Sequence, residues 1–173
     1  MKPSYLLRGF PGHPLHPPLT DAAIGAYTAA TVLVCVGAAG VAEDALATAW
    51  WITLILALGF GALAAVTGLV DWLGITRWTP LWRTATLHMV VMIVANVLFG
   101  VAAIVGHGAY VDGEFGTAAL VLTLLGFGVL IVGGWLGGSI VFVHGMRVLD
   151  LVDEPARRAA APGGREKEAA EGG

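Results

Sequence analysis

Apolar residues along this chain gather into four long runs, at about 19–41, 50–73, 84–105 and 117–143, separated by short polar connections. A helix needs about 20 apolar residues to cross the hydrocarbon core of a bilayer, and each run is long enough. Transmembrane strands would instead alternate apolar and polar positions over segments of about ten residues. The pattern therefore predicts an all-α integral membrane protein, a four-helix bundle with its transmembrane domain at 19–148. A Pro/His-rich segment at 1–18 precedes it. A tail at 149–173, rich in Ala, Gly, Pro and mixed charge, has the composition of a disordered segment.

Composition agrees with a lipid solvent. Hydrophobic residues make up 57% and charged residues 12%, with a mean hydropathy of +0.82, and a water-soluble chain of 173 residues has too little interior for that much apolar surface. A net charge of −3 gives no reason to expect nucleic acid as a partner. The placement of charge says more. Glu43 and Asp44 lie in the first connection and Asp112 and Glu114 in the third, with no Lys or Arg in either. All nine basic residues fall on the opposite side of a four-span topology: Lys2 and Arg8 before the first span, Arg77 and Arg83 between the second and third, the rest after the fourth. The positive-inside rule puts that side, and both termini, in the cytoplasm of a cell whose inner (plasma) membrane holds the protein. Trp50 and Trp51 at one boundary and Trp72, Trp78 and Trp82 at the other suit an aromatic belt.

Smaller features add less. The N-terminal segment has no continuous apolar core of the signal-peptide kind, so its retention is expected. The single cysteine, Cys35, excludes an intrachain disulfide and reads as a small buried hydrophobe. Glycines spaced four apart, Gly133/Gly137 and Gly134/Gly138, allow close helix approach. Packing within the bundle is the first reading of those faces, and a homo-oligomer contact the second.

Topology sorts the five histidines. His13 and His16 precede the first span, His88 lies a little way into the third, and His144 ends the fourth, all on the basic side. Asp71 ends the second span there too. Only His107 falls on the other side, where solvation without a role is expected. Ionisable groups cost several kcal/mol within a bilayer, so His88 and Asp71 are expected to face the bundle interior or its mouth. Asp71 is expected to pair with Arg77 or Arg83, and His144 taken alone is equally an interfacial histidine bonded to a carbonyl. Asp21 and Thr20 are expected to cap the first span. Pro11, Pro14, Pro17 and Pro18 argue against a regular helix around His13 and His16, whose joint ligation of one ion would need a turn, which Gly12 permits.

The segments GFPGHPLHPPLTDAAIG, GLVDWLGI, TLHMVVMIVANVLF and VFVHGMRV, spread from residue 9 to residue 148, resemble the DUF2231 family of bacterial four-span membrane proteins. The resemblance implies this fold and, through the Rieske and c-type cytochrome domains with which members of the family travel, a redox setting. It implies no settled activity. The present chain has neither a CxxCH haem-attachment motif nor cysteines for an iron–sulfur cluster.

Three functions follow. Imidazoles on facing helices can hold haem b for electron transfer, in contact with redox proteins or quinone, with His88 and His144 as the first ligand pair and His13 or His16 as substitutes. Arg77, Arg83 and Arg147 would then meet the propionates. The same imidazoles can instead hold a transition-metal ion, through His13, His16, His88 and His144 with Asp71 beside them. The third reading is a non-catalytic membrane anchor or assembly subunit. No Ser–His–acid set, phosphate loop or carboxylate pair points to catalysis, and no catalytic residue is assigned.

Overall fold

The computed structural model describes residues 5–10 and 13–148; the tail expected at 149–173 and the turn expected at Gly12 lie outside them. A short helix α1 (Tyr5–Arg8) leads into two short strands, β1 (Gly9–Phe10) and β2 (His13–Pro14), paired antiparallel with Phe10 opposite His13. Gly9 has φ +75°, and a Cβ there would collide with the His13 carbonyl, so this hairpin needs glycine.

Four long helices follow, α2 (His16–Ala38), α3 (Glu43–Trp72), α4 (Pro80–Val111) and α5 (Thr117–Phe142), and all four are long and apolar enough to cross a membrane. The helices overrun the apolar runs for identifiable reasons. α2 starts at His16, with Pro17 and Pro18 inside its first turn. The expectation that these prolines exclude a helix is therefore corrected: first-turn N–H groups have no intrahelical acceptor, so proline loses nothing there. The expected Thr20–Asp21 cap is corrected with it. Thr20 lies within the helix and donates back to the Pro17 carbonyl at 2.6 Å, and Asp21 is exposed. α3 gains its N-terminal extension from Glu43 and Asp44, acidic residues in a first turn that suit the positive end of the helix dipole. α4 begins at Thr79, whose hydroxyl accepts from the Trp82 N–H at 3.2 Å, with Pro80 next in the first helical position.

The helices run up and down around a ring: α2 packs on α3 and α4 on α5, α3 meets α4, and α2 closes on α5. One contact crosses the ring. Tyr27 of α2, fully buried, stacks on Phe99 of α4 with ring centroids 4.0 Å apart, and its hydroxyl donates to Asn96 Oδ1 at 2.8 Å. Asn96 in turn donates to the Met92 carbonyl at 2.8 Å, so both polar groups enter the core with partners, as a lipid-embedded core requires. Gly61 on α3 makes room, since a Cβ there would strike Asn96 and the Tyr27 hydroxyl. Cys35 lies exposed on the outer face of α2 rather than buried; an apolar thiol is equally at home against lipid.

The two ends differ in chemistry. Glu43, Asp44, Asp112 and Glu114 mark one, with Phe115 packed into the space above Gly37 and Trp50 into that above Gly106. Arg8, Arg77, Arg83 and Arg147 mark the other, and the histidines are there.

Candidate functional site

Three histidines of the basic end, His16, His88 and His144, are each held by a partner on another helix. His88 points from α4 toward α5, with Nδ1 2.9 Å from the Gly133 carbonyl. A carbonyl only accepts, so in the neutral ring Nδ1 carries the proton and Nε2 keeps its lone pair. Gly137 admits the ring: a Cβ there would stand 3.1 Å from His88 Cε1. Gly133 and Gly137 thus serve packing inside the bundle, whereas Gly134 faces open space.

His16, at the start of α2, places Nδ1 3.1 Å from Thr67 Oγ1 on α3. The Thr67 hydroxyl also lies 3.1 Å from both the Leu63 and Ala64 carbonyls and has one proton to give among the three. With that proton on a carbonyl, His16 Nδ1 donates and Nε2 keeps a lone pair; with it on Nδ1, Nε2 carries the ring proton. The ring rests on Gly68, whose Cβ would come 2.7 Å from His16 Cε1. His144, just beyond α5, is oriented the other way. Its Nε2 sits 3.1 Å from Thr84 Oγ1, which also lies 3.2 Å from the Pro80 carbonyl.

Asp71 is 8% exposed and accepts from Arg147 Nη2. This corrects the pairing expected with Arg77 or Arg83, both exposed. The cause is the chain path after α5: Gly145 at φ +65° and Arg147 at φ +62° turn the segment back over the bundle mouth, where the carboxylate needs a cation. Arg147 is thereby tied to Asp71 through one of its nitrogens, Nη2.

The sequence-derived residues therefore do not form one set. His16 lies within electrostatic range of His88 and Asp71. His13 is exposed on the hairpin, and His144 is engaged with Thr84 at the start of α4. Among the described residues, no group of three or more His, Cys, Asp or Glu side chains converges as an ion site. His107, at the acidic end, is exposed and lies edge-on to Trp51 at 5.3 Å and to Tyr110 at 5.7 Å. Sequence reasoning missed Thr67 and Thr84, which orient two of the histidines, and the Tyr27–Asn96 pair. The available signal was polar side chains inside apolar runs, since each needs a partner in lipid.

Beside Asp71 the basic end opens into a cleft of about 490 Å³, bordered by Arg8, Arg147 and the connection between α3 and α4.

A membrane-spanning four-helix bundle whose basic end carries oriented imidazoles and a buried ion pair is the class of protein these features define. The model of a family described as predicted membrane proteins, DUF2231, matches residues 12–150, and the chain belongs to that family. No curated protein and no solved structure matches it.

Proposed function

We propose that His16 and His88 are the ligands of a redox cofactor, haem b, in a protein that passes electrons at the plasma membrane with its basic end toward the cytoplasm. One observation carries the reading: both imidazoles are hydrogen-bonded to a neighbouring helix through Nδ1 at the same end of the bundle, and with Nδ1 protonated each offers Nε2 as a ligand atom. Anchoring of the remote ring nitrogen is how proteins hold histidine ligands in one tautomer and orientation. The donor set fits haem in number: His16 and His88 would hold it, and it would supply one-electron chemistry there. A bare transition-metal ion would need further donors, such as His13 from the exposed hairpin or Asp71 released from Arg147. His144, bonded to Thr84, serves the site less directly than His16.

A second reading, an anchor or assembly subunit, draws on the same hydrogen bonds. His16–Thr67, His88–Gly133, His144–Thr84 and Arg147–Asp71 each tie one segment of the bundle to another, which is sufficient reason for polar residues at a membrane boundary.

Absorption spectra of the protein, purified in detergent from cells supplied with haem and metals, separate the readings. A Soret band with sharp reduced α and β bands, lost in His88→Ala and His16→Ala, is the expected result. A featureless spectrum with one equivalent of bound iron, copper or zinc replaces haem by an ion. A featureless, metal-free protein overturns the cofactor reading and leaves the structural one.

A further inference from the structure

The cleft at the basic end is independent of the histidines, and its lining has one chemical character. Arg8 and Arg147 enter it from opposite termini of the described chain, Thr76 and Thr79 from the connection between α3 and α4, and Ile75 and Leu81 form an apolar border. Asp71 also lines it, so the ionised side chains sum to one net positive charge (two arginines against one aspartate).

The donors are not used up. Asp71 takes one nitrogen of Arg147, and a guanidinium carries five N–H donors in a fixed fork. Arg8 makes a long 3.4 Å hydrogen bond to the Val70 carbonyl and is otherwise exposed. Leu81 belongs to the first turn of α4, where backbone N–H groups lack intrahelical acceptors and the helix dipole is positive. The Thr79 hydroxyl is spent, donating to the Thr76 carbonyl at 2.8 Å while it caps α4, but two forked cations, the Thr76 hydroxyl and a helix N-terminus around one opening are the donor set of a phosphate site.

The backbone is committed to this arrangement. Arg8 lies across the end of α3 beside Gly74, where a Cβ would stand at an ordinary contact distance of 3.5 Å from Arg8 Nη2. Arg147 is held at φ +62°, a conformation that L residues seldom adopt. Trp72 and Trp82, with ring centroids 6.0 Å apart, mark the same level of the molecule, so the cleft sits at headgroup depth.

We propose that this cleft binds a phosphate group, supplied by the headgroup of an anionic phospholipid, between Arg8 and Arg147. Soluble phosphate has the same chemistry as a headgroup, and the test separates the two sources.

The protein is reconstituted in nanodiscs of phosphatidylcholine carrying a minor fraction of phosphatidylglycerol, and lipid retained through delipidation is counted by native mass spectrometry. Selective retention of about one phosphatidylglycerol is expected, falling about fivefold in Arg8→Gln, by the size of one arginine–anionic lipid contact. Arg77→Gln, an exposed arginine outside the cleft, is expected to leave retention unchanged. Because Arg147→Gln alone strands a buried carboxylate, Asp71→Asn/Arg147→Gln is the second variant, and it is expected to lose retention as well. His88→Ala is expected to retain the lipid, which separates failure here from failure of the cofactor reading. Inorganic phosphate that binds in pure phosphatidylcholine discs and is lost in Arg8→Gln would keep the site and make the source soluble. Equal retention of the two lipids with no phosphate binding overturns the proposal, as does an equal loss in Arg8→Gln and Arg77→Gln, which would mean general surface charge.

Discussion

The acidic and basic ends of this bundle are closed by different means. At the acidic end, aromatic rings fill spaces made by glycine: Phe115 over Gly37, and Trp50, 1% exposed, over Gly106. Trp51 and Tyr110 stack there with centroids 4.9 Å apart. At the basic end the rings over glycines are imidazoles, His16 over Gly68 and His88 over Gly137, and polar contacts join the helices as well: imidazole to hydroxyl, imidazole to carbonyl, arginine to carboxylate. Lipid tails are as apolar as leucine, so tight packing drives helix association and polar contacts add modestly to it. The acidic end is thus expected to contribute more of the packing that holds the fold.

The most direct way to break this comparison is to overfill the acidic end. Gly37→Leu drives a side chain into the Phe115 ring. A loss of about 3 kcal/mol is expected, the upper range for overpacking, measured by unfolding in mixed detergent micelles. A loss below that of any basic-end variant would show that packing does not carry the fold.

Next comes the contact between the ends. Asn96→Leu removes the acceptor of the Tyr27 hydroxyl and leaves it buried without a partner, at an expected cost of about 1–2 kcal/mol in the same assay. Tyr27→Phe in that background should restore most of it, because no orphaned hydroxyl remains. Failure of the rescue would mean that Asn96 acts through its packing on Gly61 and not through the hydrogen bond.

The number of spans was legible because hydropathy sums over twenty residues and tolerates local error. Helix ends were not, since they depend on single residues: Pro17 and Pro18 read as breakers until their place in a first turn is known. The collection of histidines at one end followed from counting spans. Their orientation did not, because Thr67, Thr84 and the Gly133 carbonyl are ordinary members of apolar runs. The partner of Asp71 was hidden for a related reason. Arg147 is reached only through two left-handed residues, a path that sequence spacing does not encode.

A third variant sharpens the basic side. Asp71→Asn weakens the hold on Arg147, which at 37% exposure regains water, so a cost of about 1 kcal/mol is expected despite the burial of the carboxylate. Asp71→Asn/Arg147→Gln should cost no more than the single change. A double variant much worse than the single would show that Arg147 supports the bundle through contacts other than Asp71.

The smallest effect is expected where the rule of the acidic end reaches its limit. His107 belongs to the aromatic cluster with Trp51 and Tyr110, yet it is exposed and fills no glycine space. Trp51 is fixed independently, by stacking on Tyr110 and by its indole N–H donating to the Ala103 carbonyl at 3.2 Å. His107→Ala should therefore change stability by less than about 0.5 kcal/mol, the range of ordinary surface substitutions. Tyr110→Ala, which removes the stacked partner itself, should cost more in the same unfolding series. If the two variants cost the same, the cluster acts as one unit, and exposed aromatic contacts must be counted with the buried rings among the forces that close this end.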